Sequence, residues 1–544
     1  MSSLHTLTKE SHKDPSKFRV NYDDAVRILG KDSKLPENDN LPVETGSSRV
    51  VIIGAGVAGM AAAIRLKKEL KEEDYWCFDK STDLGGTWWN NTYLNAASDS
   101  PAAHYSFSTD RVSNWSRPQP LQYEYMEYLD GVAEKWALRD KIRFNSIVKA
   151  CHWSEAEQKW TVEARDTKTG QRIQWKCEII LNCIGALAQP NHYQVEGLDT
   201  FEGEFMQSAL WRHDVDMKGK RVVLIGNGCT ANQAFPGVLA KDPSQLTQVV
   251  RSQHYIMPPI PHSFQQAYLL FSQWLFGSWL FRMIVAFGSE LRWPLFRGNG
   301  FFSRLVRRYS TNVSLSYMKR ECPEKFQDAL IPKFKIGCKR MIFDHDYLKS
   351  LHDPRVHVTN SLIKRIDGKT LHLEDGSTIE CDVLIACTGY DVAKSMMLVD
   401  FFGKDGSSLR KTWNEEGISA YQTLLVKDIP NMWILAGPNS ITGHASVIMA
   451  IENGLNFFEK TAKPILDGKA TSVTVSDEAY DKWLKTTQEE LQECVFGTPF
   501  GGCVSWYATS KTIFTTYPRS QIDYWYRCSH PKFKDLEYTK PKTH

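Results

Sequence analysis

Two short, wholly apolar runs, VVII at 50–53 and VVLI at 222–225, each end in a glycine-rich turn. Runs of this length bounded by turn residues read as strands buried on both faces, the pattern of a parallel sheet. The stretch after the first turn, AGMAAAIRLKKEL at 58–70, has the spacing of a helix, and YWCFD at 75–79 reads as the next strand. Between 142 and 181 the pattern alternates as a β-meander (IRFNSIVKACHW, KWTVEARDT, CEIILNCIG), with TKTG at 167–170 as a turn. A second set of strands follows over 357–390. The strand ends LNCIGAL and IACTGYD resemble one another and read as paired closures, the second returning the chain to the first unit. The fold predicted is α/β, with two Rossmann-like dinucleotide-binding domains and a helical insertion.

The turns carry the chemistry. Gly54, Gly56 and Gly59 in the first copy, and Gly226, Gly228 and Ala231 in the second, have the spacing G-x-G-x-x-G/A. The first glycine makes the tight turn, the second lets the backbone approach a pyrophosphate, and the third lets helix and strand pack closely. The helix N-terminus then points its positive end at the phosphates. Asp79 lies 20 residues beyond Gly59, where an acid binds a ribose hydroxyl, and Lys80 follows it. This marks the first turn as an FAD site. At the matching position of the second unit stand Arg251 and Ser252, with no acid. A cation there suits a 2′-phosphate, so NADPH is expected rather than NADH.

Residues 1–48 are polar and lysine-rich and read as an arm that wraps the surface or is partly disordered. The expected division is FAD domain over 49–190 and 386–465, NADPH domain over 191–385, and a cavity-lining C-terminal segment over 466–544. The second domain carries an insertion at about 255–350. Within it, residues 267–288 are rich in Leu, Phe and Trp, with Arg282 the only formal charge. Read first as a buried helical subdomain lining the substrate cavity, this segment also fits a surface helix dipping into a membrane, or a span.

Composition narrows the classes. At 544 residues the chain exceeds one core. A net charge of +3 argues against a nucleic-acid partner. The 12 cysteines include no C-x-x-C pair, so no zinc ribbon or redox disulfide is indicated, and unpaired cysteines fit a reducing compartment. Cys338 and Cys503 read as packing residues. No basic–apolar signal pattern opens the chain, so a cytoplasmic location is expected, with membrane association left open. No metal-ligand cluster is evident.

These motifs together resemble class B flavoprotein monooxygenases, and within them the Baeyer–Villiger type and its fungal relatives, over most of residues 49–530. LGGTWWNNTY is similar to the family segment over the flavin, which implicates Gly86, Thr87, Trp88, Asn91 and Tyr93. Asp99 falls where the family has an aspartate beside the active site, and PKFKIGCKR ends in the family's Lys-Arg pair, here Lys339 and Arg340. IACTGYD (with Thr388 and Gly389), PNMWILAGPNSITGH, GGCVSWY and TTYP follow in family order. Two segments depart from the pattern. FEGEFMQSALWR has Gln207 where the fingerprint has histidine, between Phe201, Gly203, Trp211 and Arg212. YLNAASD has Leu94 and Asn95 in place of Pro-Gly, and Ala97 in place of an arginine.

The resemblance implies reduction of FAD by NADPH, reaction with O₂ through a flavin peroxide, and oxygen insertion into a small, largely apolar organic substrate. Arg340 and Asp99 are the catalytic candidates, the guanidinium stabilising an anionic oxygen and the carboxylate orienting it. Lys339 and Arg251 are assigned to the 2′-phosphate, with Thr230 and Ser252 at the same cofactor. His444, Trp506 and Tyr507 are candidates for the cavity wall or for ordinary packing. Baeyer–Villiger oxidation is favoured. The alternatives are hydroxylation of nitrogen, sulfur or an aromatic ring on the same scaffold, including oxidative decarboxylation, and a non-catalytic flavin-binding protein. The oligomeric state is not legible.

Overall fold

The computed structural model describes residues 15–31, 33–505, 507 and 512–541. Two five-stranded parallel sheets form its centre. The first runs in the order Met432–Ile434, Ile179–Asn182, Val50–Ile53, Tyr75–Phe78, Ile142–Arg143. The second runs Val356–Thr359, Gln245–Val249, Arg221–Ile225, Val383–Ala386, Glu204–Gln207. Each glycine turn thus follows the central strand of its sheet.

Alternation along these strands separates the cores. Val50 and Ile52 face the helices Val57–Arg65, Gln122–Lys135 and Val447–Leu466, whereas Val51 and Ile53 face a second sheet. That second sheet contains the meander and runs Glu44–Ser47, Arg172–Cys177, Lys159–Asp166, Ser146–Ser154, Asp400–Phe402. The third meander strand is therefore Arg172–Cys177. Ile179–Asn182, grouped with it in the sequence pattern, instead enters the parallel sheet, where all four residues are buried. A strand buried at every position does not suit a half-solvated meander. Part of the N-terminal arm is regular structure: Tyr22–Leu29 is helical, and Glu44–Ser47 extends the meander sheet.

The insertion holds five α-helices, His262–Ser272, Gly277–Glu290, Phe301–Glu321, Glu324–Leu330 and the short Tyr347–Ser350. Residues 267–288 form two helices broken by a turn at 273–276. Gly277 permits the reversal, because a Cβ there would lie 1.6 Å from the Phe271 carbonyl oxygen. Among the described residues no helix is long and apolar enough to cross a membrane. The expected buried subdomain is also corrected. Leu270, Trp274, Leu275, Phe276, Ile284 and Phe287 are exposed.

Candidate active site

One cavity of about 1830 Å³ runs between the two parallel sheets and takes in both glycine turns. Of the residues assigned from the sequence to catalysis or to a cofactor, all but Gly59 and Ala231 line it. Those two lie beneath the turns, where helix meets strand.

At the first turn, Gly54 has φ +101° and donates its N–H to the Phe78 carbonyl at 2.8 Å. A Cβ on Gly59 would lie 1.9 Å from the Gly54 carbonyl oxygen. Gly86, with φ +57°, meets Gly56 across the cavity, and its Cβ would lie 3.0 Å from the Gly56 Cα. Bare backbone therefore lines this cleft, with the N-terminus of Val57–Arg65 at its end. Asp79 is buried and accepts from Ala55 N–H at 2.6 Å and Ser81 N–H at 2.7 Å. Burial raises the pKa of its carboxyl against these two donors. Lys80 donates to the Ala188 carbonyl at 3.3 Å, and burial pulls its ammonium down to about 8. Such a cleft, with an acid at one end and a desolvated cation beside it, fits the diphosphate and ribose of FAD.

The second turn repeats the backbone but not the polar groups. Gly226 has φ +119°, and a Cβ on it would lie 2.6 Å from the Cys387 carbonyl oxygen. A Cβ on Gly228, at the start of Cys229–Leu239, would meet nothing within 4 Å. Arg251, exposed, and Lys339 line the cavity together, with Thr230 and Ser252 nearby in its wall. Desolvation and then the Arg251 charge lower the pKa of Lys339. Neither cation has an acidic partner among the described residues. Two neighbouring cations with no counter-ion fit a bound phosphate.

Arg340 and Asp99, 241 residues apart, form an ion pair between the Arg340 Nε and the Asp99 carboxylate. Their side chains are 33% and 28% exposed, open to the cavity. The Asp99 charge raises the pKa of the guanidinium further above its already high ordinary value. Burial would raise the Asp99 carboxyl, but Arg340 outweighs it and holds the group below the ordinary carboxylate range. Both groups are charged throughout the working pH range.

Several contacts went unread in the sequence. The side-chain amide of Gln233 accepts from Tyr93 OH at 2.8 Å and from Ala97 N–H at 3.3 Å, and donates to the Ala97 carbonyl at 3.1 Å. It ties the departed YLNAASD loop to the second glycine helix. Asn95, in place of glycine, has φ +59°, which asparagine tolerates better than most side chains. Tyr390 donates to Asn91 at 2.7 Å, Thr388 to the Asn191 carbonyl at 2.6 Å, and Asn191 N–H to the Gly389 carbonyl at 2.9 Å. Gln207 meets His192 Nδ1 at 2.8 Å and donates to the Asn191 carbonyl at 3.0 Å. An imidazole, that of His192, thus lies in hydrogen-bond contact with the residue that stands in the histidine's place. Ile28, Gly30, Lys31, Ser33, Lys34, Leu35 and Glu37 of the arm also reach the cavity wall, which no motif signalled.

One expectation changes, and two open alternatives fall to packing. Cys338 and Cys503 are bonded as a disulfide, so they are a covalent link rather than packing residues. The bond joins the loop that carries Lys339 and Arg340 to the C-terminal segment, and a separation of 165 residues hid it from any spacing rule. The other ten cysteines are thiols, nine of them buried. His444 does not line the cavity: its side chain is fully buried against Glu290 at 2.9 Å. Tyr507 is buried in an apolar cluster with Phe296 and Phe496. Trp506 lies outside the described residues. From the C-terminal segment, Val504 and Ser505 line the cavity, and none of residues 261–330 does. Among the described residues no cluster could hold a metal ion.

The flavin-binding monooxygenase-like family model matches residues 47–400. The chain belongs to this family. It is 31% identical to a Baeyer-Villiger monooxygenase of Streptomyces coelicolor, covering 86% of this chain and 88% of that one. It is 29% identical to the FAD-binding monooxygenase ktnD of Aspergillus niger, covering 90% and 81%. Among solved structures, a steroid monooxygenase bound to NADP superposes with a TM-score of 0.77 at 21% identity, covering 91% of this chain and 100% of that one. The resemblance read from the motifs is therefore correct, the fold is the expected α/β one, and the chain is an FAD-dependent monooxygenase.

Proposed function

We propose that the protein uses NADPH to reduce its FAD and inserts one oxygen atom of O₂ into a small, largely apolar organic substrate by Baeyer–Villiger oxidation. The observation that carries this reading is the Asp99–Arg340 ion pair in the wall of a cavity shared by both glycine turns. Residues 49–190 and 386–465 form the FAD domain, and 191–385 the NADPH domain. Gly54, Gly56 and Gly86 leave room for the FAD diphosphate, Asp79 faces its ribose, and Lys80 supplies charge. Thr87, Trp88, Asn91 and Tyr93 would hold the flavin, together with Thr388 and Gly389, which line the same cavity. Gly226, Gly228 and Thr230 receive the NADPH diphosphate, while Arg251, Ser252 and Lys339 hold the 2′-phosphate.

When bound, the reduced flavin supplies the activation of O₂. The chain's own part is electrostatic. Arg340 presents a permanent cation where negative charge develops on the reacting oxygen. Asp99 fixes the direction of the guanidinium and stays ionised, so it never competes for a proton in the working range. The fixed Arg340 cation favours a nucleophilic, deprotonated oxidant over a protonated one, which is why ketone oxidation is preferred to hydroxylation. Peripheral membrane contact through residues 267–288 belongs to the same reading, because an apolar substrate partitions into a bilayer.

Arg340→Ala is the test. With NADPH and a panel of cyclic and linear ketones under ¹⁸O₂, the native protein is expected to form labelled esters or lactones. The variant should still bleach its flavin with NADPH but lose product by at least about 100-fold, the scale of removing one oxyanion donor. Normal ester formation by the variant removes Arg340 from the reaction. Labelled hydroxylated products from the native protein, with no ester, replace Baeyer–Villiger oxidation by hydroxylation.

A further inference from the structure

The helices His262–Ser272 and Gly277–Glu290 pack through one face and leave the other bare. Inward, Tyr268 stacks on Phe281 at 4.9 Å, and Arg282 is buried between the Ser106 carbonyl and Glu452, whose carboxylate lies 3.2 Å away. Ser113 and Arg111 bind Ser272 and Ser278 at 2.9 and 3.2 Å. These contacts seat the hairpin firmly. Outward, Leu280, Ile284, Phe287 and Leu291 make an exposed apolar stripe at helical spacing. At the tip between the helices, Trp274, Leu275 and Phe276 are 66%, 78% and 71% exposed.

A second element has the same character. The first turns of Phe301–Glu321 expose Phe301, Phe302, Leu305 and Tyr309, interleaved with exposed Arg304 and Arg308. Arg307, on the inner side, donates to the carbonyls of Leu295 at 3.1 Å and Gly298 at 2.9 Å, tying this helix to the end of the hairpin. Over residues 261–310 there are six arginines and one acid, Glu290, and that acid is paired with His444. Arg304 and Arg308 have no acidic partner among the described residues.

We propose that this face docks on the surface of an anionic lipid bilayer, with the hairpin tip and the start of Phe301–Glu321 entering the headgroup layer. Tryptophan, phenylalanine and leucine beside arginine is the composition of an interfacial helix. Charge complementarity selects the occupant. A second copy of the chain would bring Arg304 and Arg308 onto residues 261–310, which hold no exposed acid, the adjacent Glu493 being paired with Arg297, whereas anionic headgroups neutralise them. The seat of the hairpin also has a consequence. Ser106 and Glu452, its anchors, adjoin Tyr105 and Ile451, both of which line the cavity. The docked face is thus the outer side of the cavity wall, on the route of an apolar substrate leaving the bilayer.

Co-sedimentation of the FAD-loaded full chain with phosphatidylcholine vesicles, with and without phosphatidylserine, tests the proposal. The protein is expected to pellet with the phosphatidylserine vesicles and far less with phosphatidylcholine alone. Leu275→Glu with Ile284→Glu, both at exposed positions, should stay in the supernatant while keeping its FAD absorbance. Arg304→Gln with Arg308→Gln should bind about 25-fold more weakly, at roughly fivefold per arginine. A native protein that pellets with neither vesicle overturns docking, and equal binding to both overturns the anionic surface. A concentration-dependent dimer that Leu275→Glu with Ile284→Glu renders monomeric, without vesicle binding, assigns the face to a second copy instead.

Discussion

The two glycine turns share a backbone and differ in nearly everything attached to it. At the third position of the motif, the first turn has Gly59, where a Cβ would lie 1.9 Å from the Gly54 carbonyl oxygen. The second has Ala231, which is fully buried and already carries that Cβ. At the second position Gly56 faces the backbone of Gly86, whereas Gly228 faces open space. An acid pinned by two N–H groups closes the first site, and two cations without a counter-ion close the second. The first turn is built to hold a ligand in a close-fitting cleft. The second is looser and, on the proposed reading, would select by charge, as suits a cofactor that comes and goes.

The sharpest way to break this comparison is at the third position. Gly59→Ala should cost about 3 kcal/mol or more, since backbone rather than a mobile side chain must give way, and the purified variant should lack FAD. Ala231→Gly should cost only about 1 kcal/mol and keep its FAD. Denaturant midpoints and flavin absorbance read both, and equal losses would erase the difference between the turns.

Next in size is the charge at the second site. Arg251→Ala should weaken NADPH about tenfold to 100-fold, the worth of one charge-assisted phosphate contact, and leave NADH nearly unchanged. Kinetics of flavin reduction with each cofactor distinguish the outcomes. Equal weakening of both would remove Arg251 from the 2′-phosphate.

The smallest effect sharpens the first site. Lys80 has a folded pKa of about 8, below its ordinary 10.5. Without FAD, the folded chain therefore binds fewer protons than the unfolded chain between those values, and its stability rises with pH across that window. A diphosphate beside Lys80 restores the proton, so FAD affinity should fall as pH rises above 8. Titrating FAD into the apoprotein at several pH values measures this, and Lys80→Met should flatten the profile. An unchanged slope in that variant would place Lys80 away from the diphosphate.

The departures from the family pattern show what kind of information a chain carries locally. Asn95 and Gln207 are visible as exceptions, but their compensation is not. That Gln233 holds the loop carrying Asn95, and that His192 meets Gln207, depends on segments that come together only in the folded chain. Likewise the run at 267–288 is plainly apolar, yet whether it is buried depends on what packs on its second face.

By itself the sequence determined the two parallel units, the glycine turns and the types of charge beyond them, because strand burial, positive φ and phosphate binding each demand particular residues within a few positions. Tertiary structure alone decided the pairing of Asp99 with Arg340, the Cys338–Cys503 bond, the Gln233 clamp and the bare face of the hairpin. Each of these joins or exposes segments far apart in the chain, and nothing in local spacing records which distant surfaces will meet.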